Sequence, residues 1–235
     1  MGDGRELWLV AADPREFAGV LRHCRGVRRM AGGVEWLRRG DLKGRAVWMA
    51  ANGAGPGRAA EALTFLYRQG GSAVVVSTGF CGALQEGLPI GAIVAATELR
   101  GAGEPLPLPL PAASRGFHAG PVLSLDRVVA SAGEKRRLAA SGALAVEMEA
   151  AGLVPLVRQW NLPFFCVRSV SDLASEDFCL DLNGARRPDG RISVVRLVWQ
   201  ALRQPMRGPA ELLRLRRQSA RAARSLGDFL ADCRF

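Results

Sequence analysis

Short apolar runs alternate along this chain with longer stretches whose apolar residues recur every three or four positions. Leu7 to Ala12, Val34 to Arg38, Ala46 to Ala51, Ala73 to Ser77, Ala92 to Thr97 and Val122 to Leu125 read as strands, and Pro163 to Ser169 is the last clear one. Helices are predicted over Pro14 to Cys24, Arg58 to Gln69 and Ala150 to Trp160. The first opens on Asp13-Pro14, a capping acid followed by a proline in the first turn. The second carries Ala59, Leu63 and Leu66 on one face. This alternation predicts an α/β domain whose sheet is covered on both sides. Leu106 to Pro111 alternates leucine with proline, which removes ladder donors, so it is expected as an extended loop, either plain surface or a lid over a pocket.

The tail has a different character. A polar loop, Asn183 to Gly190, leads into two helices broken by Pro205 and Pro209. The second helix sets Leu212, Leu215, Ala222, Leu226 and Phe229 on one face and Arg214, Arg217, Arg221 and Arg224 away from it. It is expected to cover the domain's own sheet, with an anionic membrane surface as the alternative support. The expected organisation is therefore a single domain over residues 1–235 with a basic helical extension from about 191–235.

Composition narrows the function classes. The 235 residues are 49% hydrophobic, and no apolar run is long enough to span a bilayer. The run from Leu7 to Ala12 is too short for a secretory core, and Glu6 stands where a myristoylation signal at Gly2 needs Ser or Thr. Cys24, Cys81, Cys166, Cys179 and Cys233 follow no zinc or redox spacing, so a reduced cytoplasmic setting is expected. The two histidines, His23 and His118, are too few for a His-based metal site, and His23 is expected on a helix surface. The net charge of +10 is almost all arginine and reads as a solvated surface, while admitting anionic lipid or phosphate as partners. A nucleic-acid partner is not expected, because no basic stripe carries interleaved aromatics.

Candidate chemistry sits on acids in apolar surroundings. Ala143 to Leu153 is apolar except for Glu147 and Glu149, and the strand through Phe164 to Ser171 ends on Asp172. Burying an ionised carboxylate costs several kcal/mol unless something pairs with it, so such acids are expected to meet a ligand or a cation. A structural reading of Glu149, an ion pair with a buried Arg168, stands beside the functional one. Asn52-Gly53-Ala54-Gly55-Pro56-Gly57-Arg58 lies between a strand and a helix and suits either an anion cradle or a tight turn. Arg58 in place of a third glycine argues against a dinucleotide site. Cys81 has no nearby cation and is expected to be an inert buried thiol.

Three motifs, Thr78-Gly79-Phe80-Cys81-Gly82-Ala83-Leu84, Val146-Glu147-Met148-Glu149-Ala150 and Arg168-Ser169-Val170-Ser171-Asp172, resemble in order and spacing those of the nucleoside phosphorylase/nucleosidase superfamily. That superfamily includes purine nucleoside phosphorylases and methylthioadenosine/S-adenosylhomocysteine nucleosidases. The resemblance covers about residues 5 to 175. The tail, with Pro188-Asp189-Gly190-Arg191 and its arginine-rich helix, more loosely resembles the hopanoid-biosynthesis-associated phosphorylases, which are implicated in removing adenine from adenosylhopane.

The resemblance implies a three-layer α/β/α phosphorylase-like domain with a mixed, partly barrel-like central sheet, a homodimer, and no metal or organic cofactor. It implies cleavage of a purine N-glycosidic bond, with a 5′-modified adenosine as expected substrate and adenine as product. Asp172 would protonate the base, Glu149 would hold the ribose with Met148 against the sugar, and Glu16 would activate water. Glu147, Gly79, Phe80, Val128, Phe165 and Ser171 complete the implied substrate-binding set. Val128 stands where the nucleosidases place an aromatic against adenine, so another ring such as Phe165 is expected to stack there. Ser77 and Phe80 replace the phosphorylases' phosphate ligands, which favours hydrolysis; with Arg15 or Arg58 as substitutes, phosphate would be a co-substrate. A greasy pocket built from Phe80 and the Leu/Pro loop would suit an apolar 5′ substituent. The alternative function is a catalytically silent nucleoside-binding or peripheral membrane module whose C-terminal helix docks on the inner face of the membrane.

Overall fold

The computed structural model describes residues 5–101 and 103–235; the position considered for myristoylation, Gly2, lies outside them. The apolar runs become β1 (Glu6–Ala11), β3 (Trp36–Leu42), β4 (Arg45–Ala51), β5 (Ala73–Ala83), β6 (Ile93–Arg100), β8 (His118–Ser124) and β10 (Phe164–Asp172). The amphipathic segments become α2 (Pro56–Arg68) and α4 (Ala150–Gln159). Three strands and a helix had no clear pattern: β2 (Cys24–Arg29), β7 (Leu106–Pro107), β9 (Ala145–Glu147) and α3 (Ala132–Ala139). The expected helix from Pro14 to Cys24 is shorter. A 3-10 turn over Pro14–Phe17 passes into α1 (Ala18–Leu21), and Cys24 already begins β2. His23 sits half-buried in the intervening turn, its Nε2 2.7 Å from Asp228 Oδ1.

The sheet runs β10-β6-β8-β9-β5-β1-β4-β3-β2, and a further β10–β5 pairing closes the first five of these strands into a barrel. β1, β4, β5 and β10 are mutually parallel where they pair, while β9 meets β5 and β6 meets β10 antiparallel. The central strands are apolar on both faces because helices cover both. On one side α2 and α4 bring Leu63, Leu66, Leu153 and Val157 against Trp8, Val75 and Cys166. On the other, α1 and α7 (Gly208–Leu230) bring Val20, Leu226 and Phe229 against Leu9, Val76 and Val167. The long basic helix is therefore a cover for the sheet. The remaining helices, α5 (Leu182–Ala185) and α6 (Val194–Arg203), form a smaller cluster with Leu180 and Leu215.

α1 and α7 cross at glycine. A Cβ on Gly227 would lie 2.0 Å from the Gly19 carbonyl carbon, and one on Gly19 would lie 2.0 Å from the Ala223 carbonyl oxygen. Both obstacles are backbone, so neither can swing aside. Gly227→Val is expected to cost about 3 kcal/mol by overpacking and to lower Tm by roughly 10 °C in a thermal melt.

The Leu/Pro segment is not among the residues that line the cavity described below. Leu106 and Pro107 pair with Leu99 and Glu98 as an edge strand, and Ala112 bridges to Arg234 near the chain's end. Proline is tolerated there because an edge has a free side. The glycine-rich loop is a tight turn, because its N–H groups are engaged within the protein. Gly53 donates to Ala12 O, Ala54 to Gly190 O and Gly55 to Glu149 Oε1.

Candidate active site

The carboxyl ends of β1, β5 and β10 point the same way and open into one cavity of about 790 Å³, the usual place for a ligand in a parallel α/β sheet. Glu16 arrives from the turn after β1, Phe80 to Gly82 from the end of β5, and Ser171 and Asp172 from the end of β10. Met148 and Glu149 arrive from the link between β9 and α4.

Glu16 is held almost entirely by backbone. Its Oε2 accepts from Ala12 N (2.9 Å) and Asp13 N (2.8 Å), and Oε1 accepts from Phe80 N (2.7 Å). The local cause is a reciprocal cap, in which Asp13 closes the 3-10 turn while Glu16 reaches back to its start. Gly79 permits the approach: its φ is +135°, and a Cβ there would come 2.4 Å from Glu16 Oε1. Gly79 thus shapes the floor beneath Glu16. Since the Phe80 contact is through backbone N–H, a phenylalanine side chain at this position does not stop Glu16 from being positioned.

One buried guanidinium organises the acids. Arg168 Nη1 donates to Glu149 Oε2 (3.1 Å) and Thr78 O (3.0 Å), while Nη2 donates to Ser77 Oγ (2.6 Å) and pairs with Glu147. The ion pair considered for Glu149 from sequence is therefore present, and Glu149 still lines the cavity. Glu147 differs. Its side chain has no exposed surface, and its carboxylate accepts from Glu149 N and Ala150 N as well as from Arg168. It borders the cavity and also supports Glu149 from behind. Three carboxylates, Glu16, Glu147 and Glu149, thus surround one cation. Burial first, then the Glu149 charge, pushes Glu16 up to about 8. Burial also raises Glu149, against the pull of Arg168. The excess of acid over base is complementary to a cation formed in the cavity.

Asp172 stands on a second cation. Its Oδ2 is 2.5 Å from Lys135 Nζ, and Oδ1 accepts from Ser171 Oγ (2.9 Å). Lys135, on α3, is fully buried and also donates to Leu173 O (2.7 Å). Burial raises the Asp172 carboxyl above its ordinary value while the Lys135 ammonium opposes the rise. A register shift in the β10–β5 ladder between Val170 and Asp172 turns the strand's end and sets Asp172 opposite Gly82. Sequence reading missed Lys135. It lies on a short, mostly polar helix, and nothing in the spacing ties it to a strand end 37 residues away.

Val128 and Ser171 line the cavity, but Phe165 does not. Phe165 sits at the other end of β10, about 20 Å along the strand from Ser171, packed edge-on to Phe235 at 5.1 Å between ring centres. The aromatics that line the cavity are Phe80, at the end of β5, and Phe178, in the loop after β10, with Lys135 Nζ 5.2 Å from the Phe178 ring. No periodic signal marks a loop phenylalanine. The Leu/Pro segment contributes nothing to the lining; the apolar wall comes from α6 and α7 through Val194, Leu197, Val198, Leu212 and Leu215. Arg15 lines the cavity but is chelated by Asp13 at 2.7 Å, and Arg58 is held away by Glu61 (2.9 Å) and Pro188 O (3.2 Å). Cys81 is buried, and burial pushes its thiol well above the ordinary value.

The family model for the phosphorylase superfamily matches residues 6–112 and 110–203. The chain belongs to the phosphorylase superfamily. Within it, a 5′-methylthioadenosine/S-adenosylhomocysteine nucleosidase of Staphylococcus aureus is 27% identical over 165 residues, covering 58% of this chain and 72% of the relative. Among solved structures, the nucleosidase of that name from S. pneumoniae with a transition-state inhibitor superposes with TM-score 0.70 at 18% identity, covering 97% of both chains. A futalosine hydrolase mutant of Helicobacter pylori gives TM-score 0.68 at 14% identity over 97% of both chains. At these identities the superpositions establish the phosphorylase-superfamily fold, including its closed barrel.

Proposed function

We propose that this enzyme hydrolyses the N-glycosidic bond of a 5′-modified adenosine and releases adenine. The observation that carries the reading is the convergence of Glu16, Glu149 and Asp172 on one cavity. The enzyme class, nucleosidase or nucleoside phosphorylase, follows from superfamily membership together with the curated relatives.

In the proposed reaction the C1′–N9 bond breaks and its electron pair goes to the purine. Asp172 delivers a proton to N7, and Lys135 and Ser171 hold its carboxyl in place. Positive charge grows on the ribose, between Glu149 at the hydroxyls and Glu16 at the incoming water. Glu16 takes a proton from that water as its oxygen bonds to C1′, giving the free pentose. Water is preferred to phosphate because the two candidate phosphate ligands are engaged elsewhere, Arg58 by Glu61 and Arg15 by Asp13. Phe178 is proposed to take the stacking role expected of Phe165.

The apolar wall from α6 and α7 supports a large apolar 5′ substituent. Methylthioadenosine is the small end of this class and an adenosylhopane-like molecule the large end. The test is a panel of 5′-substituted adenosines, with and without phosphate, with the sugar product identified. Free pentose in both conditions is expected, with kcat/KM for a long 5′-alkyl adenosine at least about tenfold above that for adenosine, since each buried methylene contributes about 0.8 kcal/mol. Pentose 1-phosphate would replace hydrolysis by phosphorolysis, and equal rates on both nucleosides would remove the apolar subsite.

A further inference from the structure

α6 and the turn after it leave an apolar face uncovered. Val195 is 67% exposed, Trp199 63%, Leu202 63% and Met206 93%. At about 100° per residue Val195, Trp199 and Leu202 lie within one narrow arc of the helix, Met206 follows in the turn after it, and Leu197 and Ala201 face inward and are buried. Val194 and Val198, on the adjoining flank, are 60% and 40% exposed, yet they also line the catalytic cavity. The exposed face and the cavity's apolar wall are therefore one continuous surface. A soluble domain seldom leaves so much large apolar side chain together without a partner.

The charge around this face selects the partner. Residues 194–235 carry nine arginines against three acids, Glu211, Asp228 and Asp232. Arg203, Arg207, Arg216, Arg217, Arg221 and Arg224 are all exposed and make no ion pair among the described residues. Arg216 and Arg224 stand at the cavity itself. A two-fold contact with a second copy would set this patch on itself and bring the like charges together. An anionic bilayer offers the opposite: acyl chains for the valine, leucine and methionine side chains, an interfacial layer for Trp199, and headgroups for the arginines.

We infer that α6 lies in the surface of an anionic bilayer, with the cavity opening toward the lipid, so that an amphiphilic ligand enters from the membrane. The contact is formed by α6 rather than by the apolar face of α7, which is buried against the sheet. It stands whether or not the proposed hydrolysis is correct, because vesicle binding requires no turnover.

The full chain is to be co-sedimented with phosphatidylcholine vesicles, with and without phosphatidylglycerol. Binding to the anionic vesicles is expected, weakened by salt. Trp199→Glu, Leu202→Glu and Met206→Glu combined should lower the bound fraction at least about tenfold, because charge replaces the apolar side chains that enter the acyl layer. None of the three lines the cavity, so turnover of a water-soluble nucleoside should be unchanged. Arg203→Glu with Arg207→Glu should abolish the preference for anionic lipid and provides a second variant on exposed positions. Failure of the wild-type chain to bind, or binding indifferent to both variants, would overturn the inference. So would sedimentation velocity showing that the triple variant splits a wild-type dimer that has no affinity for vesicles, since the face would then be a subunit interface.

Discussion

Asp172→Asn is expected to lower kcat about 10³-fold, within the usual range for loss of a general acid. The amide keeps the shape of the carboxyl and can still accept from Ser171, but it has no proton to deliver to a leaving purine. The change also removes the countercharge of Lys135, which is wholly buried. Leaving that ammonium unpaired is expected to cost about 3 kcal/mol, so the variant should melt earlier while remaining folded at 25 °C. Circular dichroism and adenine release measured on the same preparation separate the two effects. A folded variant that kept more than about a tenth of the wild-type kcat would remove Asp172 from the proton-transfer step.

Glu16→Gln should be as damaging to turnover, by about 10²- to 10⁴-fold in kcat/KM, and yet favourable to the fold at high pH. Glu16 shifts from an ordinary 4.5 to about 8 in the folded protein. The groups that face it are Glu149, Arg168, Arg15 and three backbone N–H donors. As a base it must be ionised, so wild-type kcat/KM should rise about tenfold per pH unit below 8 and level off above it. Stability runs the other way. The folded state binds this proton more tightly than the unfolded chain, so the stabilisation is complete below 4.5 and is lost as pH rises through 8. Glutamine does not titrate. Relative to wild type, its stability should climb by about 1.4 kcal/mol per pH unit between those values and then stay level. At any one pH the amide's own clash with a backbone N–H offsets part of the gain, by about 1–3 kcal/mol. Denaturant melts from pH 5 to 9 read the slope directly, and parallel curves for the two proteins would mean that Glu16 is ionised throughout.

The class of fold was legible in the chain because burial on both faces of a parallel sheet leaves long apolar strands such as Ala73 to Ser77 between amphipathic helices. Two of the acids were legible for the same reason, since Glu149 and Asp172 interrupt apolar runs. Glu16 was legible only through the likeness of the turn after the first strand to the nucleosidases. β2 was not legible, because it is polar on both sides and lies at the sheet's edge, where no apolar alternation is required. Phe165 was misplaced because alternation along a strand gives a face but not a distance; it shares β10 with Ser171 and lies at the opposite end.

The sequence by itself determined which segments must be buried and which acids would need company there, because hydrophobic burial and the cost of a desolvated charge are properties of each residue and its near neighbours. The tertiary structure alone decided what that company is. Lys135 reaches Asp172, Arg168 joins Glu147 to Glu149, and α6 completes the cavity wall while keeping an apolar face outward. These pairings join residues far apart in the chain, and only the closure of the barrel and the packing of its helices bring them within hydrogen-bond reach.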